Sequence, residues 1–420
     1  MFRLVGVGLA VGALHVCWGA EATAPSTLTA SQAVAIALEN RAELAAANEA
    51  RAAAKGSLLQ AGLRPNPVLS VQTENWRAWG DPGLMIGSDM DLFASVSQQI
   101  ETGGKRGARR ELAQAGQATA EVERQALEWQ IRTQVRQAFE AALAAERERA
   151  LAEAATERYV ELERDEQIRL NEGAAAEIDV IKVRIERQKA DLRLAETETQ
   201  VATVQLALMR LMGVRRGEAL RLIDDGPTEI TPAPDVATLR AAALAAHPRL
   251  LLARARAQQA DAAVGVQQAG AKPNVTPYFG YKRNGPFNSL IGGVSVPLPV
   301  NNRNQGAIQN ATAEHRRQEA LVRAAETALL AEIDTAAEAW KRHAAIAQTI
   351  TEGPVRQARE AREIAFAAYQ EQAVTLLFLL DAQRTETEAA MLQSDAVSQY
   401  RKSRLELEAA VGTPLEGDAE

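Results

Sequence analysis

The sequence predicts a mostly α-helical protein with a small β part, built from two tandem copies of one structural unit. Three observations support this fold class. Aromatic residues make up only 4% of the chain, while Ala, Glu, Arg, Gln and Leu fill long stretches, a composition typical of long helices. A short motif from the first half recurs in the second. Prolines separate the helical stretches from short segments of alternating hydrophobicity.

Composition also excludes several classes of function. The 420 residues include 47 Lys and Arg against 54 Asp and Glu, a formal net charge of −7. This balance disfavours a nucleic-acid binder that depends on net positive charge. One cysteine and four histidines exclude a disulfide framework and cysteine-rich zinc sites. No catalytic pair, metal-ligand cluster or nucleotide loop stands out, so we expect no enzymatic activity and no cofactor.

Residues 1–22 are interpreted as a signal peptide for export. Arg3 supplies a positive charge, and the apolar run after it is shorter than the ~20 residues of a membrane-spanning helix. Ala20 and Ala22 are the small residues that a signal peptidase recognises. A lipidated Cys17 remains an alternative, although the residues before it are larger than those of most lipoproteins.

The chain repeats itself at two landmarks. The segment QAGLRPN at 60–66 recurs 208 positions later as QAGAKPN at 268–274, and NEGA at 171–174 matches QEQA at 370–373. Repeats of this kind indicate a duplicated structural unit. The predicted organisation is a first repeat over 23–213, a Pro-rich connector over 214–235, a second repeat over 236–412 and a C-terminal tail over 413–420.

Each half opens with an amphipathic helix and continues with two strands. The helices are predicted over 29–63 and 236–271, and Thr29 with Gln32 has the spacing of a capping box. Prolines that follow each helix mark the change to extended chain. The predicted strands cover 68–76 and 92–100 in the first half and 275–283 and 289–298 in the second.

Three of the four strand segments alternate between apolar and polar residues, whereas the segment over 68–76 alternates poorly. In the second segment Leu92, Ala94 and Val96 share one face, and the serines between them lie on the other. The segment over 289–298 repeats this alternation with leucine and valine. Length and alternation fit a tilted strand of a membrane barrel, apolar outside and polar inside.

A very long helical hairpin completes each half. The first limb is predicted over 107–170, about 95 Å at ~1.5 Å per residue, and a turn at 171–176 leads into a return helix over 177–212. In the second half the first limb is predicted over 306–368, and after a turn near 370–375 the return helix ends at 411. There Gly353-Pro354 predicts that the first limb is kinked or split.

Four strands are too few to close a barrel, because about eight is the smallest number that does so. Open sheet edges in lipid would leave backbone groups without hydrogen-bond partners. Three copies of the chain would supply twelve strands and leave a water-filled lumen. The sequence therefore predicts a homotrimer, with a twelve-stranded β-barrel that the helical hairpins continue as a tube.

Several motifs resemble those of a known family. They are QAGLRPNP at 60–67, SQQIETGGKR at 97–106, VPLP at 296–299, NNRNQG at 301–306 and LLDAQRT at 379–385. The chain resembles the outer membrane efflux proteins, the TolC-like channels, and within them the CzcC-like group that serves cobalt–zinc–cadmium and related heavy-metal exporters.

The resemblance implies a channel in the outer membrane of a Gram-negative bacterium that extends into the periplasm as an α-barrel. It implies a periplasmic adaptor protein and an inner-membrane pump of the RND type as partners. The cargo would be heavy-metal cations of the Co/Zn/Cd or Cu/Ag type. The channel itself would perform no chemistry.

Acidic residues near the hairpin tips are the candidates for the pore aperture. The resemblance implies an acidic ring of Asp381 at the periplasmic entrance, and three copies of one carboxylate around a narrow lumen would attract cations. Ordinary solvated helix ends are the alternative. Phe378 stands where some TolC-like channels carry another acid. The aperture candidates are Asp381, Asp179, Glu371, Glu172 and Glu177.

Two further groups of residues are candidates for contact with the membrane. A basic cluster directly after the second strand would meet lipid phosphates or a neighbouring protomer, or would form a solvated first helical turn. The basic cluster is Lys105, Arg106, Arg109 and Arg110. Aromatic side chains near the strands would join an aromatic girdle. The girdle candidates are Trp76, Trp79, Tyr278 and Tyr281.

Two other functions are compatible with the sequence. One is a TolC-like channel that serves drug efflux or type I protein secretion. The other is a periplasmic coiled-coil scaffold without a pore, in which the strand segments are loops.

Overall fold

The computed structural model describes residues 27–75, 80, 90–215, 220–226 and 229–415. The predicted signal peptide lies outside these residues. The helices are α1 (Ala30–Asn40), α2 (Ala42–Ala61), α3 (Lys105–Asn171), α4 (Glu177–Met212), α5 (Val236–Ala246), α6 (Pro248–Gly270), α7 (Gln305–Glu352), α8 (Pro354–Gln370) and α9 (Leu376–Val411). The strands are β1 (Thr27–Leu28), β2 (Val68–Glu74), β3 (Asp91–Ser97), β4 (Arg221–Leu222), β5 (Thr276–Asn284) and β6 (Phe287–Ser295).

The same order of elements occurs twice. In the first half α1 and α2 precede β2 and β3, and α3 with α4 forms the long helical hairpin. In the second half α5 and α6 precede β5 and β6, and the hairpin consists of α7, α8 and α9. This order confirms the predicted arrangement of helix, two strands and helical hairpin in each half.

The prediction of one continuous helix at the start of each half is wrong, because both are broken in two. The breaks fall at Arg41 (φ −72°, ψ 118°) and His247 (φ −62°, ψ 124°). Pro248 explains the second break, since proline disfavours helical angles in the residue before it. At the first break no proline follows, and the Arg41 side chain bonds Glu43 and Gln134 across the bend. The predicted capping box between Thr29 and Gln32 is present.

Strands β2, β3, β5 and β6 form an antiparallel sheet in that order. One row across the sheet aligns Val71, Ala94, Tyr281 and Leu290. This side of the sheet, which we call the apolar face, also carries Leu69, Val96, Phe279 and Val294, and exposures along it reach 73%. Monomeric soluble proteins rarely expose a contiguous apolar surface of this kind.

The opposite side, which we call the polar face, has a different chemistry. The adjacent row aligns Gln72, Phe93, Lys282 and Ser289, and the ammonium of Lys282 lies 4.5 Å from the centroid of the Phe93 ring. The alternation that the sequence predicts is therefore present in these central rows of the sheet, although Phe93 and Ile291 also lie on the polar face.

A parallel pair of two-residue strands joins the start of the described chain to the connector. Thr27–Leu28 pairs with Arg221–Leu222, and Leu28 is fully buried. Leu28 belongs to an apolar core in which α1 packs on α3 and α4, with Phe139 and Met212 at its centre. The second half has a matching core around Trp340 and Tyr400. Strands this short carry no readable periodicity, so the sequence did not predict them.

The helical hairpins dominate the dimensions of the molecule. Helix α3 has 67 residues, which corresponds to about 100 Å at ~1.5 Å per residue. It lies between α4 and α9, and α9 packs in turn on α7 and α8. The predicted break is confirmed at Gly353, whose angles (φ −121°, ψ −81°) separate α7 from α8.

Among the described residues, no helix has a stretch long and apolar enough to cross a lipid bilayer.

Candidate functional site

The two hairpins turn in the same way at their tips. The turn after α3 closes with a bond from the amide of Ala174 to the carbonyl of Arg169, and the turn after α8 with a bond from Ala373 to Ala368, both of 2.8 Å. Gly173 (φ 72°) and Gln372 (φ 62°) occupy the same left-handed position. The second tip therefore adopts a conformation that favours glycine without having one, which indicates that the surrounding helices fix the turn.

A shared apolar cluster holds the two tips together. It combines residues from α3, α4, α8 and α9, and its buried members are Tyr159, Leu162, Val183, Ala365, Leu376, Leu379 and Leu380. Closer to the turns, the hydroxyl of Tyr369 donates a hydrogen bond to the buried carboxylate of Glu166. Burial and this bond raise the pKa of Tyr369 to about 12. The guanidinium of Arg169 lies 4.7 Å from the centroid of the same ring.

Asp381 lies in the second turn of α9, and its side chain is 67% exposed. Its carboxylate is 3.2 Å from the guanidinium of Arg384, which also lies 3.6 Å from Glu388. Phe378, one turn closer to the tip, is exposed as well. The acid is thus held on the surface of the helix by a cation that itself reaches solvent.

Asp179 occupies the first turn of α4 and is less exposed than Asp381. Its carboxylate lies 3.3 Å from the ammonium of Lys182, and a carboxylate at this end of a helix is favoured by the helix dipole. Glu172 and Glu371 cap the C-termini of α3 and α8 at equivalent positions of the two turns, and Glu177 is the first residue of α4. These three glutamates are exposed, so all five aperture candidates lie at the tip end of the molecule.

Behind the tips, equivalent positions of the two repeats carry ion pairs of opposite polarity. In the first hairpin Glu163 on α3 lies 3.0 Å from Arg187 on α4. In the second, Arg362 on α8 lies 3.3 Å from Glu386 on α9. Glu386 also lies 3.1 Å from Arg158 on α3. This second contact ties the second hairpin to the first, and it was not predicted from the sequence.

The Glu386→Gln variant tests whether this cluster holds the tips together. We expect the free energy of unfolding to fall by about 2 kcal/mol, because the change leaves the partly buried side chains of Arg158 and Arg362 without their counter-charge. Thermal unfolding followed by circular dichroism, together with limited trypsin digestion near the tips, measures the effect. Glu388→Gln is the matched control, since its side chain is 70% exposed. Equal stability of the two variants would contradict the structural role of Glu386.

The basic cluster lies at the other end of α3, beside the sheet. Arg109 donates to the carboxylate of Glu101 with an Nη2–Oε2 distance of 2.8 Å, and this bond lowers the pKa of Glu101. Lys105 donates to the side-chain oxygen of Asn274 from the second half. Arg106 is half-buried and Arg110 is exposed. Two of the four cations thus stabilise the junction between the strands and the helices.

The girdle candidates are divided between different places. Trp76 and Trp79 lie outside the described residues. Tyr281 lies on the apolar face and donates a hydrogen bond to Asn288, whereas Tyr278, three residues earlier in β5, lies on the polar face. Of the two tyrosines, only Tyr281 therefore stands where a lipid-facing girdle would need it.

Within the part of the chain that the structure describes, no three His, Cys, Asp or Glu side chains come together as a metal site. His247 is buried, and its ring accepts a bond from the amide of Arg249 and lies 3.3 Å from the carbonyl oxygen of Ala409. Burial lowers the pKa of His247. Its role is to fix the bend between α5 and α6 against the end of α9.

Long helical hairpins beneath a small sheet with one apolar face define an outer-membrane channel subunit. The family model of the outer membrane efflux proteins matches residues 33–214 and 239–413, and the chain belongs to this family. The match confirms the resemblance seen in the sequence: the protein is an efflux channel component of the outer membrane that extends into the periplasm. Proteins of this family are transport channels that work with an adaptor and an inner-membrane pump.

Two relatives and one solved structure are similar over most of the chain. The cobalt-zinc-cadmium resistance protein CzcC of Cupriavidus metallidurans is 27% identical over 93% of this chain and 91% of its own. The nickel and cobalt resistance protein CnrC of the same organism is 31% identical over 73% of this chain and 71% of its own. The crystal structure of VceC from Vibrio cholerae has a TM-score of 0.74 and 20% identity, covering 91% of this chain and 96% of VceC. The TolC-like fold is thereby confirmed.

Proposed function

We propose that this chain is the outer-membrane channel of a tripartite system that exports heavy-metal cations. The observation that carries the proposal is the similarity to CzcC along almost the whole length of both chains, supported by the similarity to CnrC. The first relative is named for resistance to cobalt, zinc and cadmium, and the second for resistance to nickel and cobalt. Cations of the Co/Zn/Cd type are accordingly the proposed cargo, with Cu/Ag-type ions as a related class.

The proposed assembly is a homotrimer. One chain contributes a four-stranded sheet whose outer strands, β2 and β6, have no further strand beside them among the described residues. Three chains supply twelve strands, enough for a closed barrel with a water-filled lumen. The apolar face would then contact lipid and the polar face would line the lumen. An adaptor protein and a proton-driven RND-type pump would load the channel at the hairpin tips.

The proposed mechanism is electrostatic and involves no enzymatic step. Three copies of Asp381 would place carboxylates around the narrow entrance, where they attract cations and repel anions. Tight binding of the cargo would slow its exit, so exposed carboxylates suit a channel better than a closed ligand cage. Asp179 and the three tip glutamates would add to the same field. Arg106 and Arg110 would lie at the periplasmic edge of the membrane, near lipid phosphates.

Deletion of the gene in its own host tests the cargo. We expect the tolerated concentration of Co, Zn or Cd salts to fall several-fold, because the pump would then lack an exit through the outer membrane. The tolerated concentration of uncharged drugs should not change. Growth on graded metal and drug plates, with the wild-type chain returned on a plasmid, measures both. Loss of drug tolerance or of protein secretion, with metal tolerance intact, would overturn the metal assignment in favour of those other channels.

A further inference from the structure

The outer strands of the sheet, β2 and β6, are where one copy must meet the next. We infer that β6 of one copy pairs with β2 of its neighbour in a defined antiparallel register, with Ser295 opposite Ser70 of the neighbouring copy. This inference rests on the proposed trimer. It goes further by naming which residues face each other across the boundary between copies.

The register follows from the internal duplication. The QAGLRPN repeat places β5 208 positions after β2. Within the hairpins, Val68 pairs with Ser97 and its equivalent Thr276 pairs with Ser295. Ser295 is therefore the equivalent of Ser97, and β6 follows β3 by 198 positions.

Identical side chains support this equivalence of β3 and β6. Under the same shift Leu92 corresponds to Leu290, Val96 to Val294 and Ser97 to Ser295. All three positions carry the same residue in both halves. The equivalence therefore holds along the strand and not at one position alone.

The junction between the two halves of one chain supplies the template for the junction between chains. There β3 pairs with β5, with Ser97 opposite Tyr278 and Val96 opposite Phe279. The equivalents of Tyr278 and Phe279 in β2 are Ser70 and Val71. If the boundary between copies repeats the internal junction, Ser295 faces Ser70 and Val294 faces Val71 of the next copy.

The two faces of the sheet agree with this register. Val71 and Val294 both lie on the apolar face, while Ser70 and Ser295 both lie on the polar face. A slip of one residue would set Val294 opposite Ser70 or Gln72 and would turn one apolar side chain row towards the wrong side. A slip of two residues keeps the faces matched. Only the comparison with the internal junction therefore distinguishes the inferred register from registers shifted by two residues.

The hydrogen-bond pattern makes Ser70 and Ser295 suitable for a disulfide test. At the internal junction Ile100 and Val275 exchange both backbone bonds, at 2.8 and 3.1 Å. Bonded and non-bonded pairs alternate in an antiparallel ladder, so Ser97–Tyr278 is a non-bonded pair with Cα atoms about 4.5 Å apart. The inferred Ser295–Ser70 pair inherits this closer spacing, which suits a disulfide.

Within one copy the same two residues cannot be joined. β2 and β6 are separated by three strand spacings, about 14 Å at ~4.8 Å per spacing. A disulfide between positions 70 and 295 therefore reports contact between two copies. The natural chain has one cysteine, Cys17, in the predicted signal peptide, so the background is low.

The experiment combines Ser295→Cys with one of three changes in β2: Val68→Cys, Ser70→Cys or Gln72→Cys. The three β2 positions share one face of the strand and differ only in the register that they test. Outer membranes are oxidised and run on denaturing gels with and without reductant. Ser97→Cys with Tyr278→Cys is the control for an internal disulfide and should leave the chain monomeric on such gels.

We expect Ser70→Cys with Ser295→Cys to give covalent dimers and trimers that reductant converts to monomers. Their amount should be several-fold greater than with the change at position 68 or 72. Stronger cross-linking at position 68 or 72 would overturn the register while leaving the trimer intact. Absence of cross-links at all three positions in a protein that native mass spectrometry shows as a trimer would overturn β2–β6 pairing. A monomer by native mass spectrometry would overturn the proposed function as well.

Discussion

Replacing Val71 with arginine is expected to abolish assembly in the outer membrane, whereas the same replacement of its neighbour Gln72 is expected to be tolerated. Val71 is 64% exposed on the apolar face, in the middle of β2. An arginine that faces lipid near the middle of the bilayer costs about 2–4 kcal/mol. Over three copies the cost would be about 6–12 kcal/mol, which is comparable to the whole stability of many domains.

Gln72 is the next residue of β2 and lies on the polar face instead of the apolar face. Its side-chain amide donates to the carboxylate of Glu74 at 2.9 Å, so an arginine at this position would keep a charged partner and would project towards water. The two variants therefore share the added side chain and the strand, and only the environment changes.

The measurement is the amount of trimer in outer-membrane fractions on gels run without heating, with total expression as the reference. We expect Gln72→Arg to assemble close to the wild-type level and Val71→Arg to be degraded or to accumulate in the periplasm. Equal assembly of the two variants would show that the apolar face does not contact lipid.

The Asp381→Asn variant should lower the cation selectivity of the channel. At a separation of 4 Å in water, one carboxylate attracts a monovalent cation by about 1 kcal/mol. If Asp381 lines the proposed aperture, loss of this attraction would correspond to a fall of roughly fivefold in the permeability ratio of K⁺ to Cl⁻. In the proposed trimer the change would remove three charges, one from each chain, without altering side-chain size.

Reversal potentials in planar bilayers under a KCl gradient measure this ratio. Glu388→Gln is the matched control, because it removes a carboxylate that contacts the same Arg384 but lies two helical turns further from the tip. We expect Glu388→Gln to change the reversal potential much less. A reversal potential that Asp381→Asn leaves unchanged would remove Asp381 from the aperture.

Much of the fold could be predicted because glycines, prolines and turn motifs mark the ends of the helices. Helix α4 runs from Glu177 to Met212, as the sequence predicts. Both of its ends could be predicted, because a turn motif precedes it and Gly213 follows it. The break at Gly353 was equally visible, since a glycine and a proline adjoin there. The bend at Arg41 has no such signal and depends on side-chain contacts that form only after folding.

The candidate site was less predictable than the fold, because one of its ion pairs joins residues that are far apart in the sequence. The contacts of Asp179 with Lys182 and of Asp381 with Arg384 span three residues of one helix, and helical spacing makes such pairs readable in principle. The pair of Arg158 with Glu386 joins helices from different halves of the chain. Only the packing of α3 against α9 brings these two side chains together.

Whether the protein forms a trimeric channel can be measured by planar-bilayer recording of the purified wild-type protein, with its mass determined in the same detergent. We expect a complex of three chains that adds stepwise, cation-selective conductance to the membrane. A water-soluble monomer that passes no current would contradict it.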